Sequence, residues 1–83
     1  MAETEIGKVT HYYGHLGVAI VELSGPLAKG DRVHFKGGTH DFEQEVGEIQ
    51  IDHADVQSAK KGDVIGLKVG EKTPDGAIVF KVE

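Results

Sequence analysis

The sequence predicts an all-β fold, a small closed barrel of six strands. Short apolar runs rich in β-branched residues are separated by glycines, 12 of them in 83 residues, which is the rhythm of many short strands. The clearest runs alternate with period two, so each has one buried and one more exposed face. Helical periodicity is nearly absent: only "DHADVQSAKK" (52–61) is compatible with a turn or so of helix, which Gly62 would stop. Six short strands without a long free edge argue for closure, because a closed sheet has no edge to protect.

The expected strands are 6–13, 16–23, 32–36, 41–51, 64–69 and 77–82. "GVAIVEL" in the second is apolar on both faces, which places it centrally or under a cover. In the fourth, Phe42, Gln44 and Val46 share a face while Ile49 and Ile51 belong to the other. Gly47 sits at the change of phase, so a bulge or sharp coil there would turn Phe42, Val46, Ile49 and Ile51 all inward. Phe42 is accordingly expected in the core, where truncation to alanine costs about 3–5 kcal/mol. In the fifth strand Ile65, Leu67 and Val69 alternate with Val64, Gly66 and Lys68. In the sixth Ile78, Phe80 and Val82 alternate with Ala77, Val79 and Lys81. "SGPLAKGD" and "TPDGA" carry turn chemistry. Gly37, Gly38 and Thr39 read as the turn between the third and fourth strands. "AKGDRV" (28–33) and "KKGDVI" (60–65) look alike, and are read as recurring turns at strand entries rather than as a duplication.

An 83-residue chain is expected to be one domain, with residues 1–5 a flexible acidic N-terminus and 6–83 a single β-barrel. There is no cysteine, so neither disulfides nor thiolate chemistry is available. No apolar run approaches the roughly 20 residues that span a bilayer, and "MAETE" is unlike a secretory signal. A cytoplasmic monomer that does not engage membranes is expected. The formal net charge is −5. Residues 1–40 are neutral, and the excess lies in 41–83, with six carboxylates and no Lys or Arg between Asp41 and Asp55. The chain lacks the overall basic footprint of strong non-specific nucleic-acid binding, although a local patch remains open.

The order "IGKVTHYYGHLGVAIVEL", "LAKGDRVHFKG" and "THDFEQEVGEIQIDHADVQSAKKGDVIGLKV" resembles the β-barrel domain II of translational GTPases such as elongation factor Tu. It resembles more closely the stand-alone translation elongation factor-like proteins made of that barrel alone, and it is also similar to the barrel that ends the collagenase-like peptidases. The most specific part is Val56, Ala59, Gly62, Asp63 and Gly66, a structural motif that marks the barrel and not a chemistry. The resemblance implies a domain II-type barrel without its GTPase, and ribosomal or transfer RNA or a translation-related protein as partner. The chain has no phosphate loop, and no nucleotide or other cofactor is expected.

His11 and His15, His40 with Asp41, and His53 with Asp52 and Asp55 carry metal-ligand chemistry, but they come from separate segments, and no metal site is expected. Asp41, Glu43 and Glu45 alternate along one strand face that reads as solvated, so they are not an acid/base pair in a pocket. Ser24 and Ser58 lack the surroundings of a nucleophile elbow. No catalytic residue is assigned, and the chain is expected not to be an enzyme. Tyr12, Tyr13 and Phe35 are the side chains that could stack on bases. The expected function is a non-catalytic binding module, translation- or RNA-associated, with Tyr12, Arg32, His34, Lys36 and His40 as contacts. The alternative is a protein–protein adaptor using an acidic face of Glu43, Glu45 and Glu48.

Overall fold

The computed structural model describes residues 3–38, 40–52 and 54–82, so Thr39 and His53 lie outside the described residues. Ten strands follow in chain order: β1 (Glu3–Tyr13), β2 (Val18–Leu23), β3 (Leu27–Ala28), β4 (Arg32–Gly37), β5 (His40–Glu45), β6 (Ile49–Ile51), β7 (Ala54–Val56), β8 (Ser58–Ala59), β9 (Val64–Lys68) and β10 (Ile78–Val82). Eight form one sheet in the order β5-β4-β10-β1-β2-β9-β6-β7, and β3 and β8 form a second, two-stranded sheet. Every pairing is antiparallel.

The all-β expectation holds, and the closed six-stranded barrel does not. The segment 41–51, expected as one bent strand, is two strands with a gap. The Val46 N–H donates to the Asp31 carbonyl (2.8 Å), and the Val46 carbonyl accepts from Gly30 N–H (3.0 Å). Those bonds bind Val46 to a turn and take Val46–Glu48 out of the sheet ladder. β5 therefore pairs with β4, while β6 joins β9 and β7. Among the described residues the sheet is open, with β5 and β7 at its edges. The phase change at Gly47 is thus resolved by a break. It leaves Val46 and Ile49 buried, and Phe42 and Ile51 half-buried against the core.

Among the described residues, the Gln44 side chain spans the seam between the β5 edge and the end of β9. Gln44 Nε2 donates to the Lys68 carbonyl (2.7 Å), and its Oε1 accepts from Gly70 N–H (3.0 Å).

The segment 52–61, the one stretch compatible with a helical turn, forms β7 and β8 instead. Ala54–Val56 folds back on Ile49–Ile51, and Ser58 and Ala59 pair with Ala28 and Leu27. Asp52 in the reversal has φ 51°, a left-handed conformation that Asp tolerates better than most residues. At the other end of the chain, Glu3–Glu5, expected within a flexible tail, belong to β1 and pair with Val82, Lys81 and Phe80.

The core follows the period-two pattern. Ala19, Val21 and Leu23 of β2, Val33 and Phe35 of β4, Ile65 and Leu67 of β9, and Val79 of β10 are buried in one cluster. The opposite, outer face carries Val18 and Ile20 of β2 and Ile78, Phe80 and Val82 of β10, all partly exposed. That outer face holds the features described next.

Candidate functional site

β4 presents Arg32, His34 and Lys36 on the outer face, because Val33 and Phe35 between them point into the core. The register then sets their neighbours. Across β4–β5, Arg32 faces Glu45, His34 faces Glu43 and Lys36 faces Asp41. Across β4–β10, His34 faces Phe80 and Arg32 faces Val82. A cationic strand thus lies between an acidic edge strand and a partly covered apolar strip.

His34 is only 8% exposed. Its Nδ1 meets Glu3 Oε2 at 2.7 Å, and its Nε2 meets Asp41 Oδ1. A neutral imidazole carries a single N–H, so both bonds are donated by the ring only when it is protonated. The hydrogen bond to Asp41 accordingly raises the His34 pKa above its ordinary 6.5. Burial works against that rise, and the bond to Glu3 and the charges of both carboxylates add to it. Arg32 Nε donates to Glu43 Oε1 at 2.9 Å, and Lys36 Nζ lies 5.9 Å from the centre of the Phe80 ring.

The second feature is an open apolar groove of about 270 Å³ on the other half of the outer face. Tyr13, Leu16, Val18, Ile20, Val64 and Gly66 line it. Tyr13, Leu16 and Val64 are 46%, 65% and 52% exposed, and they are the exposed large hydrophobic residues among the described residues. Their convergence on one groove separates them from the isolated apolar residues that any surface carries. The register explains it: Ile20 faces Gly66 and Val18 faces Lys68 across β2–β9, while Tyr13 faces Val18 across β1–β2. Gly66 has no side chain to fill the floor.

The residues singled out from the sequence fall in several places. Arg32, His34 and Lys36 come together on β4. Tyr12 packs partly buried against the core, on the opposite side of β1 from the exposed Tyr13. Phe35, read as able to stack on bases, is 1% exposed and stacks instead on Phe42 at 5.0 Å. His40 begins β5, but its side chain is outside what is described. Glu43 and Glu45 are exposed on β5, and Glu48 is exposed in the break after it. Ala59 is buried and Val56 half-buried, and Gly62 has φ 93°. Asp63 Oδ2 accepts from Lys60 N–H at 3.0 Å, and a Cβ on Gly66 would lie 3.3 Å from Val18 Cγ1. Three participants escape the sequence reading. Glu3 was assigned to the tail, and its contact with His34 depends on a register that only the folded sheet sets. Leu16 and Val64 were read as strand residues; the apolar second face of "GVAIVEL" was the local sign of the groove.

Comparison with known proteins bears on what these features serve. No family model matches the chain. It is 38% identical over 77 residues to an uncharacterized protease of Methanocaldococcus jannaschii, covering 92% of this chain and 19% of that protein. It is 39% identical over 72 residues to a collagenase of Porphyromonas gingivalis, covering 84% of this chain and 20% of that one. The likeness is to collagenase-like peptidases. The chain spans about one fifth of the length of these curated relatives. Among solved structures, the C-terminal domain of a candidate U32 peptidase of Geobacillus thermoleovorans superposes with a TM-score of 0.89. It is 22% identical, and the match covers 96% of this chain and 93% of that one. Its selenomethionine variant gives 0.86 at 22% identity, over 90% of this chain and 95% of that one.

These findings correct the functional expectation. The similarity to the collagenase-like peptidases is supported, and the similarity to elongation-factor domain II is not. Relatives named as a protease and a collagenase overturn the translation- or RNA-associated module, and with it the expectation that the chain stands apart from enzymes. They do not establish the acidic adaptor either. No helix among the described residues is long and apolar enough to cross a membrane.

Proposed function

We propose that this chain works in proteolysis, as the β-domain of a collagenase-like peptidase, and that its outer groove holds the polypeptide to be cleaved. The observation that carries the reading is the 38% identity spread over 92% of the chain to part of a protease. The groove supplies the physical means. An extended polypeptide turns every second side chain toward the same face, so an apolar one among them meets the groove. A groove with Leu16, Val64 and Tyr13 on its rim and Gly66 on its floor receives such a side chain without deep enclosure. Burying one aliphatic side chain contributes about 1.5–3 kcal/mol, one sequence-tolerant part of the energy that holds an unfolded chain.

The test is fluorescence anisotropy of labelled denatured collagen titrated with the protein. Saturable binding is expected, weakened about tenfold or more, the equivalent of about 1.4 kcal/mol, in the double variant Leu16→Asp, Val64→Asp. Both positions are exposed, so the melting temperature stays close to the parent's. No binding by the parent, or equal binding by the variant, overturns the reading.

A further inference from the structure

We propose that Glu3, His34 and Glu43 form a binding site for one divalent transition-metal cation, with Asp41 as the residue that orients the histidine. The three side chains offer one ligand atom each, and these atoms lie within 4.8 Å of one another. Donors on one tetrahedral zinc ion sit about 2.0–2.2 Å from it and so about 3.3–3.6 Å from one another. The Glu3 and His34 donors, 2.7 Å apart, open slightly to admit the ion, and a pair at the 4.8 Å limit closes by about 1 Å, which side-chain rotation alone supplies.

The backbone brings them together from three strands. His34 and Glu43 are directly opposed across β4–β5. Glu3 arrives from the start of β1, which is separated from β4 by β10, and its carboxylate rests on Nδ1 of His34 at 2.7 Å. Phe80, paired with His34 across β4–β10, lies beside the ring, the two centroids 6.3 Å apart. The imidazole is therefore nearly buried while both glutamates remain reachable from solvent. Ions enter such a site without rearrangement of the sheet.

The second nitrogen strengthens the case. Metal-bound histidines characteristically donate their other N–H to a carboxylate, which fixes the tautomer and aims the ring. Here Nε2 is already held by Asp41. Coordination through Nδ1 leaves that hydrogen bond intact and turns Glu3 and Glu43 into the remaining protein ligands. One imidazole and two carboxylates suit zinc or manganese, and are too few oxygens for calcium. Three protein ligands leave a coordination position for water or an incoming carboxylate. Glu43 gives up its bond to Arg32 Nε on binding; that pair is exposed on both sides, so the exchange costs little.

The test is isothermal titration of chelator-stripped protein with zinc chloride, repeated with manganese chloride. One ion per chain is expected for at least one of the two metals, with Glu3→Gln and Glu43→Gln each weakening binding about tenfold or more. Asp41→Asn is expected to weaken it by about 10–100-fold, the usual effect of a residue supporting a ligand. Glu48→Gln, on the same acidic segment, leaves it unchanged. The glutamates are exposed, so these variants fold even where His34→Gln does not. The absence of a saturable one-to-one isotherm with either metal overturns the site, as does undiminished binding in both Glu3→Gln and Glu43→Gln.

Discussion

Asp31 and Asp63 occupy equivalent places in two copies of the same turn. Asp31 Oδ2 accepts from Ala28 N–H (2.9 Å), and Asp63 Oδ2 accepts from Lys60 N–H (3.0 Å). The glycine before each has a positive φ, 91° at Gly30 and 93° at Gly62. Each turn then grips the end of another strand. Gly30 and Asp31 hold Val46 through both its backbone groups, and Gly62 and Asp63 hold Leu23 in the same way. The strands leading into the turns, β3 and β8, pair with each other. The likeness of "AKGD" and "KKGD" in the sequence is therefore a likeness of hydrogen bonding around an approximate two-fold relation.

The two aspartates differ in their surroundings, which makes them separable by mutation. Asp31 also accepts an ion pair from Lys81 Nζ at 3.4 Å. Asp31→Ala is expected to cost about 1–2 kcal/mol and Asp63→Ala about 1 kcal/mol, typical of one lost hydrogen bond. Urea denaturation measures both. A loss below about 0.5 kcal/mol at both sites would show that the backbone bonds alone hold the turns.

The aromatic pair at the β4–β5 junction is also asymmetric. Phe35 is buried and Phe42 half-buried, their rings stacked 5.0 Å apart. Phe35→Ala is expected to cost about 3–5 kcal/mol. Phe42→Ala is expected to cost about 1–3 kcal/mol, less than its sequence phase implied, because it already has one face in water. Chemical denaturation of both variants gives the ranking, and a larger loss at Phe42 would contradict it.

Gly37 marks a close approach of backbones. A Cβ there would lie 2.8 Å from Ala77 Cβ and 2.9 Å from Ala77 Cα. No flexible side-chain end is available to yield, so Gly37→Ala is expected to cost about 1–3 kcal/mol, as overpacking does. Gly47→Ala, with nothing within 4 Å of its Cβ, is the matched control and is expected to be neutral or slightly stabilising. Thermal melts of the two variants distinguish steric cost from the general effect of replacing glycine.

His34 links stability to pH when metal is chelated. Its carboxylate partners Asp41 and Glu3 raise its pKa in the folded chain. Glu43 faces it across the strand pair, and Arg32 and Lys36 are its neighbours along the same face of β4. A raised folded value means that protonation favours the native state. The stabilisation is complete below about pH 6.5, the value for an unfolded histidine, and is lost as the pH rises through the raised value. Melting temperatures measured across that window with chelator present are expected to fall for the parent and to fall less for Asp41→Asn. A parallel fall in both would remove His34 as the cause.

Strand positions were largely legible because period-two alternation is local: Ile65, Leu67 and Val69 against Val64 and Lys68 sort to the two faces as the pattern requires. The number of strands and the open edge were not, because the split of 41–51 depends on bonds between Val46 and a turn far earlier in the chain. The site was legible in part. Arg32, His34 and Lys36 share a strand face by simple alternation. The approach of Glu3 to His34 spans 31 residues, and no local pattern announces it. The groove was half-visible in Val18 and Ile20, whose outer-facing positions are apolar where an exposed strand would be polar.

The side-chain amide of Gln44 imitates a backbone peptide, presenting one donor and one acceptor to Lys68 and Gly70. Among the described residues the two sides of this seam are thereby joined by side-chain hydrogen bonds in place of a backbone ladder. Local opening at this seam is expected to be possible without global unfolding. Amide exchange at Gly70 is expected to quicken in Gln44→Ala while the amide of Val21, on a central strand, keeps its protection; uniform quickening at both would mean that the seam governs the whole fold.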